Sequence, residues 1–285
     1  MIKKLTSKNM TAEINYHGAE LKSLIKDGKE YMWQADPKFW SRTSPVLFPV
    51  VGQVSGGTYK YNGVEYKMSQ HGFARDMDFE LVESTDSSCT FLLKSNEETK
   101  EKYPFDFELR LGYVLTDKGI EVIWDVKNTD EKPLEFSIGA HPGFNCVINK
   151  SALRISKAGK PLDSFKRSMF VDGLVTDEIT NVALTEGVLK LDDHSFDNGV
   201  YILENAQSDR VELLDENGDT VVDVTYDAPL VGIWAPAGEG VPFLCIEPWY
   251  GRADKRGYDG ELKDREWNNT IKAGDSFKVS YFIAV

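Results

Sequence analysis

The chain is 285 residues long, 41% hydrophobic and 28% charged, which suits an ordinary globular protein with a sizeable core. Its formal net charge of -13 repels nucleic acid and anionic lipid, so neither is expected as a partner, and anionic ligands are mildly disfavoured. Cys89, Cys146 and Cys245 lack metal-ligand spacing and read as reduced, mostly buried thiols. The N-terminus has no signal-peptide core and no apolar run is long enough to span a bilayer, so a cytoplasmic protein is expected.

In chain order, the elements are mostly strands. His17 stands before Gly18 in an N-terminal hairpin, and Asp27-Gly28 and Asn62-Gly63 are tight-turn pairs between strand-like runs. Asp36-Pro37 offers a helix cap followed by proline, so a short helix is expected over Asp36 to Trp40. Ser95 with Glu98 resembles a capping box, which predicts a second short helix ending near Tyr103. From Phe107 to Leu115 the odd positions are large and apolar. After a turn the alternation resumes through Ile120, Val122, Trp124 and Val126, as a hairpin with one buried face requires. Lys150 to Gly187 is the least regular stretch and reads as an excursion over the sheets. Val211–Leu214 and Val221–Val224 form another hairpin, and Phe277 to Ile283 closes the chain with the same period of two. No linker or repeat divides the sequence. The expected fold is all-β, one large antiparallel β-sandwich spanning residues 1–285 with few short helices.

Four segments place chemically active residues in unusual settings. His141 follows a strand-like run and precedes Pro142, which ends sheet pairing and biases the histidine toward an extended backbone. It reads either as a strand-end histidine bonded to backbone or as a group facing a ligand, with Phe144 beside it. Glu247 follows four apolar residues and again precedes a proline. It is either a strand-end carboxylate paired with an arginine or a partly desolvated base, with Trp249 as stacking surface or core. The loop Gln70 to Asp76 carries His71 and Arg75, and Arg42 stands before an apolar run; each is either an ordinary polar surface or a set of ligand donors. Trp234 is a further candidate for an apolar wall. His17 and His194 read as structural or surface residues. No cluster has metal spacing, and no nucleophile elbow or phosphate loop is present, so no metal and no nucleotide site are expected.

Together these segments resemble the aldose 1-epimerase family, also called galactose mutarotases. The resemblance rests on an ordered set: Gly18-Ala19-Glu20-Leu21, Pro45-Val46-Leu47-Phe48-Pro49, His71-Gly72-Phe73-Ala74-Arg75, Gly139-Ala140-His141-Pro142 and Ile246-Glu247-Pro248-Trp249. It is closest to a bacterial branch that also resembles glucose-6-phosphate 1-epimerases. The resemblance implies a cleft on one sheet of the sandwich and no cofactor. It implies Glu247 as general base and His141 as general acid, with His71, Arg75 and Arg42 binding a small-molecule sugar; a monomer or homodimer is expected. Two departures stand out. Gln53 occupies a position where better-studied mutarotases carry arginine, and the stretch around Asp197 corresponds to the place of a sugar-binding aspartate. The expected activity is interconversion of the α and β anomers of a free aldohexose. The alternatives are a hexose 6-phosphate as substrate, or a carbohydrate-binding protein without catalysis. Ordinary side-chain pKa values predict a bell-shaped pH profile with a glutamate limb on the acid side and a histidine limb on the basic side.

Overall fold

The structure, a computed structural model, describes all residues from Met1 to Val285. Strands Phe107–Leu115 and Gly119–Asn128 pair antiparallel, with Phe107 opposite Asn128 and Leu115 opposite Ile120. Phe107, Leu109, Leu111, Tyr113 and Leu115 are buried, as are Ile120, Val122, Trp124 and Val126. Alternate residues of a pleated strand point to opposite faces, so each set lines one side of the sheet. The C-terminal strand Ser276–Ala284 joins this hairpin to Thr220–Tyr226 within a 10-stranded sheet.

The second sheet has eight strands. In spatial order these are Leu174–Ala183, Ser164–Val171, Tyr201–Leu203, Leu230–Trp234, Phe243–Tyr250, Ile138–Ala140 and Val46–Leu47, with Gly143–Asn145 also paired to Phe243–Tyr250. The two sheets pack face to face as a β-sandwich. Trp124 of the first meets Tyr250 of the second edge-on at 6.3 Å, and Tyr250 meets Phe277 at 5.3 Å. The buried cluster of 63 residues between them draws on both, with Leu111 and Trp124 from one and Val231, Ile233 and Ile246 from the other. A second cluster of eight residues includes Leu47, Ile202, Leu230 and Trp249. Each of these alternates along its strand with a residue of the main core, so the smaller cluster covers the opposite, outer face of the eight-stranded sheet.

Three local expectations are corrected. Asp36 to Trp40 forms only a turn: Phe39 and Trp40 N–H both donate to the Asp36 carbonyl at 3.0 Å, but no helix propagates. A single turn does not repay the order needed to nucleate a helix. The second helix exists at Glu97–Lys102, and its cap is shifted by one residue. Asn96 accepts from Thr99 N–H while the Thr99 hydroxyl accepts from Asn96 N–H, so the box is Asn96/Thr99 rather than Ser95/Glu98. Ser95 instead donates to Asp106. The stretch from Lys150 to Gly187 is regular β-structure, dominated by the hairpin Ser164–Val171 and Leu174–Ala183. Leu174–Ala183 is an edge strand, largely exposed, so its polar residues hide the alternation that marks a half-buried strand.

Candidate active site

Strand Phe243–Tyr250 explains how a histidine and a glutamate 106 positions apart meet (247 − 141 = 106). Its C-terminal end pairs with Ile138–Ala140, Gly139 lying opposite Trp249, and its N-terminal end pairs with Gly143–Asn145, Gly143 lying opposite Cys245. Between these two ladders the segment joining the two short strands carries His141-Pro142. Proline has no N–H to give to a ladder, so regular pairing lapses there, and one bond remains, from Ile246 N–H to the Pro142 carbonyl at 3.3 Å. His141 is thereby turned toward Glu247, with Nε2 and Oε2 3.4 Å apart. The contact is close but misaligned for a hydrogen bond, so Glu247 Oε2 is left buried without a hydrogen-bond partner; His141 Nδ1, on the other side of the ring, is buried without one as well.

The pair lies in a cleft of about 270 Å³ on the outer face of the eight-stranded sheet, lined also by Trp40, His71, Arg75, Trp234 and Trp249. That volume is just below the roughly 300 to 1,000 Å³ of drug-sized ligand sites, which limits the occupant to one small molecule. Burial pushes His141 down to about 3 and holds Glu247 well above the usual carboxylate range, with the Trp249 indole N–H pulling Glu247 the other way. The neutral forms are the ones that desolvation favours.

His71 is placed by strained backbone. Its φ is 67°, and Gly72 follows at 72°, where a Cβ would lie 2.1 Å from the Phe48 carbonyl oxygen. Only glycine allows that approach. Gly52 N–H donates to His71 Nδ1 at 3.1 Å, which puts the ring proton on Nε2. Burial, and then His141 nearby, holds His71 well below its ordinary pKa. His71 is therefore neutral, with its proton on Nε2, and lies edge-on to His141 at 5.6 Å.

The other expected groups divide. Arg75 lines the cleft, donates to the Gln70 carbonyl at 2.7 Å, and keeps its Nε without a hydrogen-bond partner. Arg42 does not line the cleft: it donates to Asp76 at 2.8 Å, and Asp76 lies 3.6 Å from Arg75 Nε, so one carboxylate serves both arginines. Trp249 and Trp234 are lining residues. Phe144 is not. It is fully buried in the main core on the strand that pairs with Phe243–Tyr250. Asp197 is not either; it is half-exposed in a surface turn and contacts His194 Nδ1 at 2.9 Å. His17 is likewise a surface residue, against Asp78. The segment after Asp197 reaches the cleft through Val200 and Ile202 instead.

Several lining residues carry no chemical signature that sequence reading detects. Phe170, Val200, Ile202 and Ala253 are ordinary apolar residues, and Trp40 belongs to an expected helix that is a turn. Trp40 stacks on His141 at 4.7 Å. Cys245 also joins the site, its Sγ within 4.8 Å of ligand atoms of His141 and Glu247. Such a trio has donors for a soft metal, but burial raises the Cys245 thiol well above its ordinary pKa, which opposes the thiolate that a metal requires.

The fold is a β-sandwich with a desolvated imidazole–carboxylate pair in a cleft on one sheet. The chain belongs to the aldose 1-epimerase family, whose model matches residues 2–269. Among its relatives is the plasmid-encoded protein LacX of Lactococcus lactis subsp. lactis, 30% identical over 296 residues, covering 99% of this chain and 98% of that protein. Two solved structures share the fold throughout. A galactose mutarotase related enzyme from Lactobacillus acidophilus is 34% identical with a TM-score of 0.93, covering 100% of this chain and 97% of that one. A galactose mutarotase-like protein from Lactobacillus casei ATCC 334 is 30% identical, also with a TM-score of 0.93, covering 100% and 99%.

Proposed function

We propose that this protein interconverts the α and β anomers of a free aldohexose. The observation that carries the reading is the buried His141–Glu247 contact at 3.4 Å inside the cleft. Mutarotation removes the proton of the C1 hydroxyl and adds one to the ring oxygen; the ring opens to an aldehyde, the C1–C2 bond rotates, and the ring closes on the other face. One acid and one base suffice. Glu247 serves as base and His141 as acid, sharing a single proton. Transfer across their contact interconverts the neutral pair and the ion pair without changing net charge. Hydroxyls of the bound sugar stabilise the charged form as they replace water. His71 Nε2–H and the Arg75 guanidinium, both in the cleft lining, supply donors to further sugar oxygens.

An uncharged sugar is favoured over a phosphate ester because Asp76 already engages both Arg42 and Arg75 and Arg42 stands outside the cleft lining. The names of the two solved relatives, both likened to galactose mutarotase, support the same reaction class. The test compares anomer exchange of glucose, galactose and glucose 6-phosphate by NMR at matched concentrations. Exchange of the neutral hexoses supports the reading. A clear preference for the phosphate that is lost in Arg75→Ala would replace the substrate assignment.

A further inference from the structure

The cleft has two unlike sides. Gln70, His71, Arg75, His141 and Glu247 hold the polar side. On the other side, beyond strand Leu230–Trp234, the lining residues are Phe170, Val200 and Ile202, none of which has a polar side-chain atom, whereas Ala253 packs against Gly52 beside His71. The backbone of this apolar wall offers little either. The Val200 carbonyl accepts from Arg167 Nε at 3.3 Å and Nη2 at 3.2 Å. Arg167 is buried, so this acceptor is already taken behind the wall.

The wall's distance from the reacting groups follows from the register. Ile202 lies opposite Gly232, and Gly232 lies opposite Glu247. Two strand spacings separate Ile202 from Glu247, about 10 Å along the sheet. Gly232 has no side chain, and the Trp249 ring covers its place, since a Cβ there would lie 2.5 Å from that ring. A pyranose resting on this floor with C1 at Glu247 turns a remote substituent to the apolar wall.

A hydroxyl buried against that wall loses its water partners and gains none. Resting on the epimerase reading above, we propose that the substrate is a 6-deoxyaldose, whose C5 carries a methyl group in place of hydroxymethyl. A methyl fills the wall and needs no partner. A deoxy position on the ring itself would leave the wall uncovered, because a ring methylene does not project to it.

The test measures kcat/KM for anomer exchange by NMR on matched pairs of both enantiomeric series, such as galactose with 6-deoxygalactose and glucose with 6-deoxyglucose. In the pair whose ring stereochemistry fits, the 6-deoxy sugar is expected to exceed its parent by about 10- to 100-fold. Val200→Thr and Ile202→Thr, each close in shape and carrying a hydroxyl, should shrink that ratio several-fold. Parent sugars equal to or better than their 6-deoxy partners in every pair would overturn the inference and leave the epimerase reading standing. A 6-deoxy preference unchanged in both variants would overturn the assignment to this wall. Exchange of no sugar at all would overturn the epimerase reading, and this inference with it.

Discussion

His141 is caged by rings. Trp40 stacks on it at 4.7 Å, and Trp234 and His71 meet it edge-on at 5.4 and 5.6 Å. An imidazolium in that cage loses its hydration, which is why its pKa falls to about 3 while burial carries Glu247 upward. Between those limits the pair holds one proton. The proposed mutarotation consumes no net proton, so the one-proton form is the working form under that proposal. The acid limb of kcat/KM is therefore expected near pH 3, from protonation of His141. The basic limb comes from loss of the shared proton, well above the ordinary glutamate value. This reverses the order that ordinary pKa values suggest. A pH profile measured with a structural probe in parallel checks it, and an acid limb centred near 6.5 would contradict it. Glu247→Gln keeps the shape and removes the basicity. It should lower kcat by about 10² to 10⁴ and leave the circular dichroism spectrum unchanged.

At the scale of elements, the apolar run Pro45–Pro49 and the loop 70–76 act as one unit. Phe73 and Ala74 N–H both donate to the Phe48 carbonyl, and Phe48 N–H donates to the His71 carbonyl. Gly72 sits where no side chain fits, so Gly72→Ala should destabilise the protein. The backbone strain alone accounts for about 1–3 kcal/mol, read as a lowered urea midpoint, and His71 should be displaced with it. This region also shows what sequence reading can reach. His71, His141 and Glu247 were legible because a titratable group beside glycine or proline breaks the strand pattern, and Arg75 because it shares the polar loop with His71. Val200, Ile202 and Phe170 were not, because an apolar residue on an outer face looks the same in sequence as one in the core. Phe144 erred the other way: proximity to His141 in sequence placed it in the cleft, whereas pleating and pairing bury it in the core. Asp197 was placed by correspondence with an aspartate site, and the surface turn carries it elsewhere.

Across the whole molecule the sandwich followed from the period of two, most clearly in Phe107–Leu115 and its partners. The long-range ion pairs had no such signal. Arg265 and Asp254 are almost fully buried and 2.6 Å apart, and Asp254 also accepts from Ser55 N–H. Arg265→Met leaves that carboxylate buried without its cation and should cost about 3–5 kcal/mol in denaturant unfolding. Stability should also depend on pH through the histidines. His71 and His141 bind protons less readily folded than unfolded, so their contribution is complete above about 6.5. It is lost as pH falls from there toward the folded value of His141, about 3. Glu247, held protonated in the folded state, works in the opposite sense, so unfolding midpoints between pH 7 and pH 4 should fall by less than the two rings alone would give, and a series that rises toward pH 4 would show that the two rings are not held neutral.

The central claim is that Glu247 and His141 carry out anomer exchange. It is tested most directly by polarimetry on a freshly dissolved single anomer of a hexose and of its 6-deoxy partner, with wild-type protein, Glu247→Gln and His141→Asn. The expected result is rapid relaxation to the equilibrium rotation with wild-type protein on at least one sugar, and relaxation close to the uncatalysed rate with either variant. Wild-type protein that leaves every relaxation rate unchanged, or a Glu247→Gln variant as fast as wild type, would contradict it.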